Sequence, residues 1–312
     1  MTARLLDGHK IRDEILAELA REIAALEAEG VTPGLAAVLV GENPASEIYV
    51  RSKVRTCESL GLHSETVKRG ADTTTGDLLA LVADLNRRDD IDGILIQLPL
   101  PPQVDSKSVL EAVDPAKDVD GFHPMNAGHL LAGRAGLVPC TPAGILEILR
   151  RSRIPIASAR AVVIGRSDIV GKPVALLLLR ENATVTICHS KTRELPAIAR
   201  GGDILIAAMG HAAFVTGEFI KPGATVIDVG VNRLTTADEV RRAFRDPAVP
   251  LAQLVAKGSV IVGDVQPEDA RERAGAYTPV PGGVGPLTIA MLMSNTVQAA
   301  RLRRGGRTRA SL

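Results

Sequence analysis

The sequence predicts an α/β protein of two domains, the first an N-terminal domain with a mostly parallel sheet. Patterns typical of strands and helices alternate in two runs, which a loop-rich stretch at 114–142 separates. Such alternation is typical of parallel sheets covered by helices. The second run includes a glycine-containing turn between a strand and a helix, as in proteins that bind phosphate groups. The second domain is therefore predicted to be a Rossmann-type nucleotide-binding domain.

The first run begins with an amphipathic helix at 9–29, where apolar residues recur at helical spacing until Gly30 ends the helix. The other elements predicted for this run are strands at 35–40, 63–68 and 93–98 and helices at 46–60 and 75–87. Ligands bind at the carboxyl ends of strands in such sheets. Gln97 and the proline-rich loop 98–102 therefore lie at a candidate binding edge.

The second run carries the predicted nucleotide-binding domain. Its predicted elements are a helix at 143–151 and strands at 161–164, 183–187, 203–208 and 224–229. A last helix is predicted after this domain, at 286–303. The polar residues 234–258 are predicted to form a surface insertion. We expect one domain to comprise 1–139 plus 286–304 and the other to comprise 140–285. Residues 305–312 are expected to form a flexible tail.

The turn after the strand 161–164 is the candidate phosphate site. Its glycines, Gly165 and Gly171, let the backbone approach an anion, and the next helix directs free N–H groups towards that anion. Ser167 stands where the usual dinucleotide motif has a second glycine. A nucleophilic role for Ser167 is rejected, because the spacing is not Gly-x-Ser-x-Gly.

The residues after the next strand favour NADP over NAD. An NAD site places a carboxylate about 20 residues past the glycine turn, whereas basic residues there suit the 2′-phosphate of NADP. No carboxylate occurs at 183–193. The donors found instead are Arg166 in the turn and Ser190, Lys191 and Arg193 after the strand. The alternative is a solvated basic loop after a core strand.

Composition argues against polymer and membrane partners. Lys and Arg number 37 against 36 Asp and Glu, and aromatic residues make up 2% of the chain, so nucleic acid binding is not expected. No apolar run approaches the ~20 residues of a membrane span, and no signal peptide is recognisable. Three widely spaced cysteines indicate a reduced, cytoplasmic setting. The C-terminal basic residues are interpreted as a frayed helix end and tail: Arg301, Arg303, Arg304, Arg307 and Arg309.

Three groups of residues could carry chemistry. Tyr49 and Lys53 are four apart on a predicted helix and share one face, which suits a proton carrier or, alternatively, a solvated lysine lying over a tyrosine. The cluster Asp118, Asp120 and His123 could bind a divalent metal, cap a turn, or recognise a substrate amino group. No metal is expected, since no further carboxylate follows at suitable spacing. The proline- and glycine-rich segment 278–288 could line a cofactor cleft or simply connect domains.

Taken together, these motifs resemble those of the bifunctional methylenetetrahydrofolate dehydrogenase/cyclohydrolase family. The matching segments, spread over residues 45–288, are 45–53, Gln97-Leu98-Pro99-Leu100-Pro101, Asp118-Val119-Asp120-Gly121-Phe122, 139–142, 165–173, Cys188-His189-Ser190, 227–230 and 279–286.

The resemblance implies two reactions. NADP would oxidise 5,10-methylenetetrahydrofolate to the 5,10-methenyl compound, and hydrolysis would then give 10-formyltetrahydrofolate, a step in one-carbon metabolism and purine biosynthesis. By resemblance, Lys53 is the proton carrier and Gln97 orients the lysine or the folate. Tyr49 would pack against the substrate, and Asp120 would bind the amino-pyrimidine edge of the pterin.

The resemblance also assigns the cofactor site and the assembly. Arg166 and Ser190 would contact the 2′-phosphate of NADP. The other residues expected around the cofactor and substrate are Gly165, Ser167, Val231, Pro281, Gly282 and Gly283. Family members are homodimers that associate through the nucleotide domain, and their last helix returns to the first domain. The sequence departs from the family pattern at 234–258, which is longer, and at Leu287, where Met is usual.

Two other functions are considered. Another two-domain NADP dehydrogenase, acting on a small carboxylic acid, could share the alternation and the glycine turn, but it would not need a pterin-binding Asp120. A nonenzymatic nucleotide-binding sensor could keep the fold, but Tyr49, Lys53 and Gln97 argue against the loss of proton transfer.

Overall fold

A computed structural model describes residues 3–304, and the predicted tail at 305–312 lies outside them. The chain forms two compact units. The first unit comprises Asp13–Cys140 and the residues from Ile289 onwards. The second unit comprises the residues up to Arg12 and Thr141–Thr288. Among the described helices, none combines the length and the apolar character that a membrane span requires.

Strands and helices alternate along the chain, as the sequence predicts. The strands are β1 (Arg4–Leu5), β2 (Gly34–Val40), β3 (His63–Arg69), β4 (Gly93–Ile96), β5 (Arg160–Ile164), β6 (Thr184–Cys188), β7 (Ile204–Ala207), β8 (Thr225–Asp228), β9 (Asn232–Leu234), β10 (Val260–Val262) and β11 (Ala276–Tyr277). The α-helices are α1 (Gly8–Ala28), α2 (Pro44–Leu60), α3 (Thr75–Arg87), α4 (Ser106–Glu111), α5 (Pro124–Leu131), α6 (Cys140–Arg151), α7 (Gly171–Arg180), α8 (Leu195–Ala199), α9 (Ala237–Ala243), α10 (Ala248–Lys257), α11 (Pro267–Arg273) and α12 (Gly285–Arg304).

The first unit is built on a parallel sheet in the order β3–β2–β4. Every residue of β2 is buried, which explains why that strand is an uninterrupted apolar run. The apolar stripe of α1 is buried too, at Ile15, Leu19 and Ile23. α3 begins with a capping box between Thr74 and Asp77 and packs its own apolar face into the core.

The second unit is built on a six-stranded sheet in the order β1–β11–β8–β7–β5–β6, in which every neighbouring pair is parallel. From β5 the chain first moves outwards to β6 and then continues on the other side through β7 and β8. The strand order therefore reverses between β5 and β7, which is where doubly wound sheets bind nucleotides. The two parallel sheets and the return of the chain from Ile289 to the first unit confirm the predicted fold class.

The N-terminal segment differs from the predicted division of the chain. Residues up to Arg12 were expected in the first domain, but they belong to the second unit. There Arg4 and Leu5 pair with Ala276 and Tyr277 at the edge of the six-stranded sheet. A strand of two residues is too short to show a period of two, so its sequence gives no signal.

The region 234–258 is more than a polar surface insertion, so that interpretation was incomplete. β9 and β10 form an antiparallel pair around α9 and α10. The strand pair and α9 enclose a small apolar cluster of their own, made of Leu234, Val240, Ala243, Val260 and Val262. The breaker at Asp246 and Pro247 separates the two helices. Most residues of the region are exposed, which gives it its polar composition.

The basic end of α12 is not frayed within the described residues, so that prediction was wrong for Arg301, Arg303 and Arg304. Arg301 pairs with Glu22 at 2.9 Å. Arg303 and Arg304 both pair with the fully buried Asp92, at 2.6 and 2.9 Å. Arg307 and Arg309 lie outside the described residues.

Candidate functional site

Lys53 and Gln97 meet inside the first unit. α2 presents Tyr49 and Lys53 one helical turn apart. Tyr49 is half exposed, whereas Lys53 is buried, with 7% of its surface accessible. The Lys53 Nζ atom donates a hydrogen bond of 3.2 Å to Oε1 of Gln97. The alternative of a solvated lysine therefore does not describe Lys53.

The position of Gln97 at the end of β4 fixes the direction of its side chain. Its backbone N–H continues the sheet by donating to the Val38 carbonyl oxygen at 2.9 Å. Its Nε2 donates to the Leu98 carbonyl oxygen at 2.7 Å, which leaves Oε1 to face Lys53. The carboxyl end of β4, which was predicted to be a binding edge, thus carries a hydrogen-bonded pair of a lysine and an amide side chain.

Asp118 is the carboxylate of a capped turn. Its side chain accepts hydrogen bonds from the backbone N–H groups of Phe122 and His123, at 3.2 and 2.8 Å, and from the Asn126 side chain at 2.9 Å. His123 in turn caps α5, since its Nδ1 accepts from the Met125 N–H. Among the described residues, no three His, Cys, Asp or Glu side chains are grouped so that they could hold a metal ion.

Asp120 is different from Asp118, because its carboxylate accepts no hydrogen bond from any described residue. It is half-buried, close to Lys53 and Asp118. Burial raises the pKa of Asp120 to about 6; the positive charge of Lys53 lowers this pKa and the negative charge of Asp118 raises it. A carboxylate with free acceptor capacity beside a lysine can bind a ligand that presents paired N–H donors.

Lys117 and Asn295, which were not predicted from the sequence, hold the loop that carries Asp118 and Asp120 in place. The buried Lys117 donates to the carbonyl oxygens of Leu85, Asn86 and Arg88, where α3 ends. Burial lowers the pKa of Lys117. Asn295 of α12 donates to the carbonyl oxygens of Val119 and Val138. A single asparagine within the apolar face of the last helix is the signal that could have identified it.

In the second unit, the turn after β5 is tight and leads directly into α7. Gly165 has φ +129°, and a Cβ atom there would collide with the Ala208 carbonyl oxygen. The Ser167 hydroxyl oxygen accepts from the N–H groups of Val170 and Gly171, at 3.2 and 3.3 Å. Ser167 therefore organises the start of α7, and its hydroxyl is not placed as a nucleophile.

The predicted contacts of the 2′-phosphate lie after neighbouring strands. Arg166 follows β5 and Ser190 follows β6, and both residues are exposed. The turn at Ser190 is held by the His189 N–H, which donates to the Thr192 hydroxyl at 2.9 Å. Val231 follows β8 and is 62% exposed. Arg166, Ser190 and Val231 therefore lie on loops at the carboxyl edge of the six-stranded sheet.

The proline- and glycine-rich loop is tied to the N-terminal segment of the same unit. The Gly8 N–H donates to the Gly282 carbonyl oxygen at 2.9 Å, and the Leu6 N–H donates to the Tyr277 carbonyl oxygen at 2.8 Å. Pro281 follows a cis peptide bond, and Gly282 has φ +106°. The role of the first residues in supporting this loop was not predicted, because isolated backbone N–H groups such as those of Leu6 and Gly8 leave no periodic pattern in the sequence.

The fold and these residues define an α/β enzyme with one unit for a nucleotide cofactor and one unit that carries a lysine, an amide and a free carboxylate. Residues 6–120 match the model for the catalytic domain of tetrahydrofolate dehydrogenase/cyclohydrolase. Residues 139–304 match the model for the NAD(P)-binding domain of the same enzymes. The chain belongs to the tetrahydrofolate dehydrogenase/cyclohydrolase family.

Known proteins resemble the chain over nearly its whole length. The bifunctional protein FolD of Koribacter versatilis is 62% identical over 305 residues, covering 98% of this chain and 99% of that protein. The crystal structure of FolD from Campylobacter jejuni has 41% identity and a TM-score of 0.87, covering 96% of this chain and 99% of that one. The enzyme from Trypanosoma brucei, solved with NADP and an inhibitor, has 39% identity and a TM-score of 0.86, covering 97% and 99%.

These findings confirm the family predicted from the motifs, and with it a bifunctional dehydrogenase and cyclohydrolase. They also confirm the predicted cofactor, since the family domain binds NAD(P) and the trypanosomal relative holds NADP.

Proposed function

We propose that the chain oxidises 5,10-methylenetetrahydrofolate with NADP and hydrolyses the resulting 5,10-methenyl compound to 10-formyltetrahydrofolate. The observation that carries the second step is the buried Lys53, hydrogen-bonded to Gln97 and close to a carboxylate with free acceptors. Bound NADP supplies the hydride acceptor for the first step. The residues below act by holding the reactants and by moving a proton.

Lys53 is the proton carrier of the hydrolysis. Water adds to the bridging carbon of the methenyl cation and loses a proton. The bond from that carbon to the N5 ring nitrogen then breaks as the nitrogen is protonated, and the added hydroxyl group releases its own proton to solvent as it becomes the formyl carbonyl. A neutral Lys53 can accept the first proton and return it to the leaving nitrogen. Gln97 keeps the Nζ atom in place during both transfers, because its own amide is held by Leu98.

Asp120 is the group that recognises the folate. The amino-pyrimidine edge of a pterin presents adjacent N–H donors, and an ionised carboxylate accepts from two of them at once. Asp118 cannot fill this role, because its oxygens already accept from Phe122, His123 and Asn126. Tyr49, exposed one turn from Lys53, offers an aromatic surface for packing against the substrate. Pro281, Gly282 and Gly283 complete the proposed substrate contacts.

The second unit fits NADP. Gly165 lets the chain turn tightly beside Ala208 at the end of β5, and the N-terminus of α7, which can bind a phosphate, follows this turn. The exposed Arg166 and Ser190 supply donors for the 2′-phosphate, with Lys191 and Arg193 adding positive charge nearby. Ser167 and Val231 complete the proposed cofactor contacts. We therefore propose a preference for NADP over NAD.

The test combines purified protein with 5,10-methylenetetrahydrofolate and either NADP or NAD. Reduced nicotinamide and 10-formyltetrahydrofolate are followed separately, by absorbance and by chromatography. We expect both products with NADP and slower reduction with NAD. If the cofactor is not reduced by this substrate but is reduced by a small hydroxy acid, the alternative dehydrogenase is correct. If neither substrate reacts but NADP binds, the chain is a sensor.

The proposed assembly is a homodimer formed through the second unit. β6 ends the six-stranded sheet, so one edge of it has no strand beside it among the described residues. Ile187 on this strand and Leu179 on α7 are exposed. Light scattering tests the dimer, and Ile187→Lys should give monomers. The free, buried cysteines Cys57, Cys140 and Cys188 fit the proposed cytoplasmic location, where 10-formyltetrahydrofolate would supply purine biosynthesis.

A further inference from the structure

Two buried carboxylates stand at the carboxyl edge of the six-stranded sheet. Asp228 ends β8, and Asp264 follows β10. Asp264 has no accessible surface and Asp228 has 5%. Neither forms an ion pair with a described residue, so backbone and side-chain N–H donors must offset the cost of burying negative charge here.

Asp264 is held by four hydrogen bonds from two loops. Three successive backbone N–H groups donate to its oxygens: Met209 at 2.7 Å, Gly210 at 2.9 Å and His211 at 2.8 Å. The Asn232 side chain donates the fourth bond, at 3.0 Å. Consecutive N–H groups that converge in this way form a nest for an anion, and here the protein's own carboxylate fills the nest.

Asp228 fixes the backbone from which Asp264 projects. Its oxygens accept from the N–H groups of Asp264 and Val265, at 2.8 and 2.9 Å, and from Gly230 at 3.0 Å. Burial raises the pKa of Asp228 to about 7, and the nearby charge of Asp264 also raises it. Gly230 has no room for a side chain, because a Cβ atom there would collide with the Asp264 carboxylate. The position of Asp264 is thus determined from several sides.

The two loops that Asp264 joins are those that a nucleotide would meet. The segment 208–211 follows β7, and 229–232 follows β8. β7 lies beside β5 where the strand order reverses, and the Ala208 N–H donates to the Ile164 carbonyl oxygen at 2.8 Å, just before the phosphate turn. Dinucleotides bind across this crevice, so the shape of 208–211 decides which backbone groups face the cofactor.

We propose that Asp264 is a positioning residue for the cofactor, whose buried carboxylate holds the backbone of 209–211 and the side chain of Asn232 in the shape that NADP binds. The proposal rests on the function proposed above. Asp264 itself touches no cofactor atom in this scheme. It acts through the loop, because its oxygens are fully used by the nest and by Asn232.

The substitution Asp264→Asn tests this role. The side chain keeps its size, but one oxygen is replaced by an NH₂ group that faces backbone N–H donors, so the loop loses its shape. We expect the KM for NADP to rise at least tenfold, with kcat at saturating NADP changed less than KM. Hydrolysis of the methenyl compound, which consumes no NADP, should stay within twofold of the unsubstituted protein.

A matched control stands at the opposite edge of the same sheet. Asp203 precedes β7, and its partly exposed carboxylate accepts from the Arg160 N–H at 2.9 Å and pairs with Lys221 at 2.5 Å. Asp203→Asn alters a similar bond where no ligand is expected, and the KM for NADP should stay unchanged. If Asp264→Asn fails to fold, Asn232→Ala gives the result, since it removes only one of the four bonds. Its KM for NADP should rise about threefold.

The possible outcomes separate this proposal from the proposed function. A purely structural role would lower the amount of active protein while leaving the KM for NADP unchanged, and this result overturns the positioning role alone. Equal losses of dehydrogenase and cyclohydrolase activity at unchanged KM would do the same. If the unsubstituted protein neither binds nor reduces NADP, the proposed function fails, and the role of Asp264 fails with it.

Discussion

The side chains of Lys53 and Gln97 are joined by a hydrogen bond from Nζ to Oε1, and the Leu98 carbonyl oxygen holds the other end of the amide. A lysine that has lost its proton still carries two N–H donors, so this bond can persist in both protonation states. The lone pair of the neutral lysine amine is then directed away from Gln97. The pair thus provides a proton acceptor whose position does not change when it accepts or returns a proton.

The first prediction concerns this lysine. Lys53→Met should lower the rate of methenyl hydrolysis by about 10²–10⁴-fold, which is the usual effect of a positioned acid or base. NADP affinity should change less than twofold, because Lys53 lies in the first unit and the phosphate turn in the second. Loss of methenyl absorbance measures the rate, and fluorescence titration measures NADP binding.

Lys68→Met is the matched control for Lys53. Lys68 is an exposed residue of β3 in the same unit, so its loss changes the net charge equally without touching the Lys53 and Gln97 pair. We expect normal hydrolysis from this variant. Lys53 would be misassigned if its own methionine variant also hydrolysed the methenyl compound at the normal rate.

The second prediction follows from the raised pKa of Asp120. Below a pH of about 6 this carboxyl group is protonated and can no longer accept from two N–H donors. The KM for the folate substrate should therefore rise as the pH falls through about 6, while the KM for NADP changes little. Initial rates between pH 5 and 8 measure both constants. A folate KM that stays flat across this range would exclude Asp120 as the recognition group.

The raised pKa of Asp120 also means that ionising this carboxylate destabilises the folded protein. Asp120 titrates at about 6 in the folded protein, above the ordinary value of 3.8, so the folded state binds more protons between these values. Stability must then fall as the pH rises through this window. Asp120→Asn should remove the cost and stabilise the protein at pH 8 by up to about 3 kcal/mol, with no gain at pH 4. Thermal unfolding at the two pH values gives the comparison.

Periodicity predicted most of the fold, because burial leaves a direct trace in the sequence. The helix predicted at 9–29 is observed at Gly8–Ala28, and the strand predicted at 35–40 is observed at Gly34–Val40. The strand predicted at 93–98 is observed at Gly93–Ile96, although the Gln97 N–H still donates to the neighbouring strand at Val38. Short elements such as β1 span too few residues to show any period.

Long-range polar contacts were not predictable in the same way. Asp92 and Arg303 are 211 residues apart, and neither stands in a local pattern that points to the other. The nest that holds Asp264 is made of backbone N–H groups, whose direction depends on φ and ψ and not on residue type. Such contacts depend on the folded arrangement of several loops, so a single sequence does not reveal them.

The fourth prediction concerns the choice of cofactor. Arg166→Ala should raise the KM for NADP about 10–100-fold, because a hydrogen bond to a charged group contributes about 1.5–3 kcal/mol. The KM for NAD should change little, since NAD lacks the 2′-phosphate. Arg200→Ala is the control, as Arg200 is an exposed arginine of the same unit that follows α8. If both cofactors lose affinity equally, Arg166 holds a part that they share.

The last prediction tests the anchor of α12. The Asp92 carboxylate is fully buried and accepts from the Gly34 N–H as well as from Arg303 and Arg304. Asp92→Ala leaves an unsatisfied donor and two partly buried charges, which should cost about 3–5 kcal/mol and lower the Tm by roughly 10 °C. Asp89→Ala removes a fully exposed carboxylate 3.7 Å from the same Arg303 and should leave the Tm nearly unchanged. Equal Tm values for the two variants would show that the buried Asp92 carboxylate contributes no more to stability than the exposed Asp89 carboxylate.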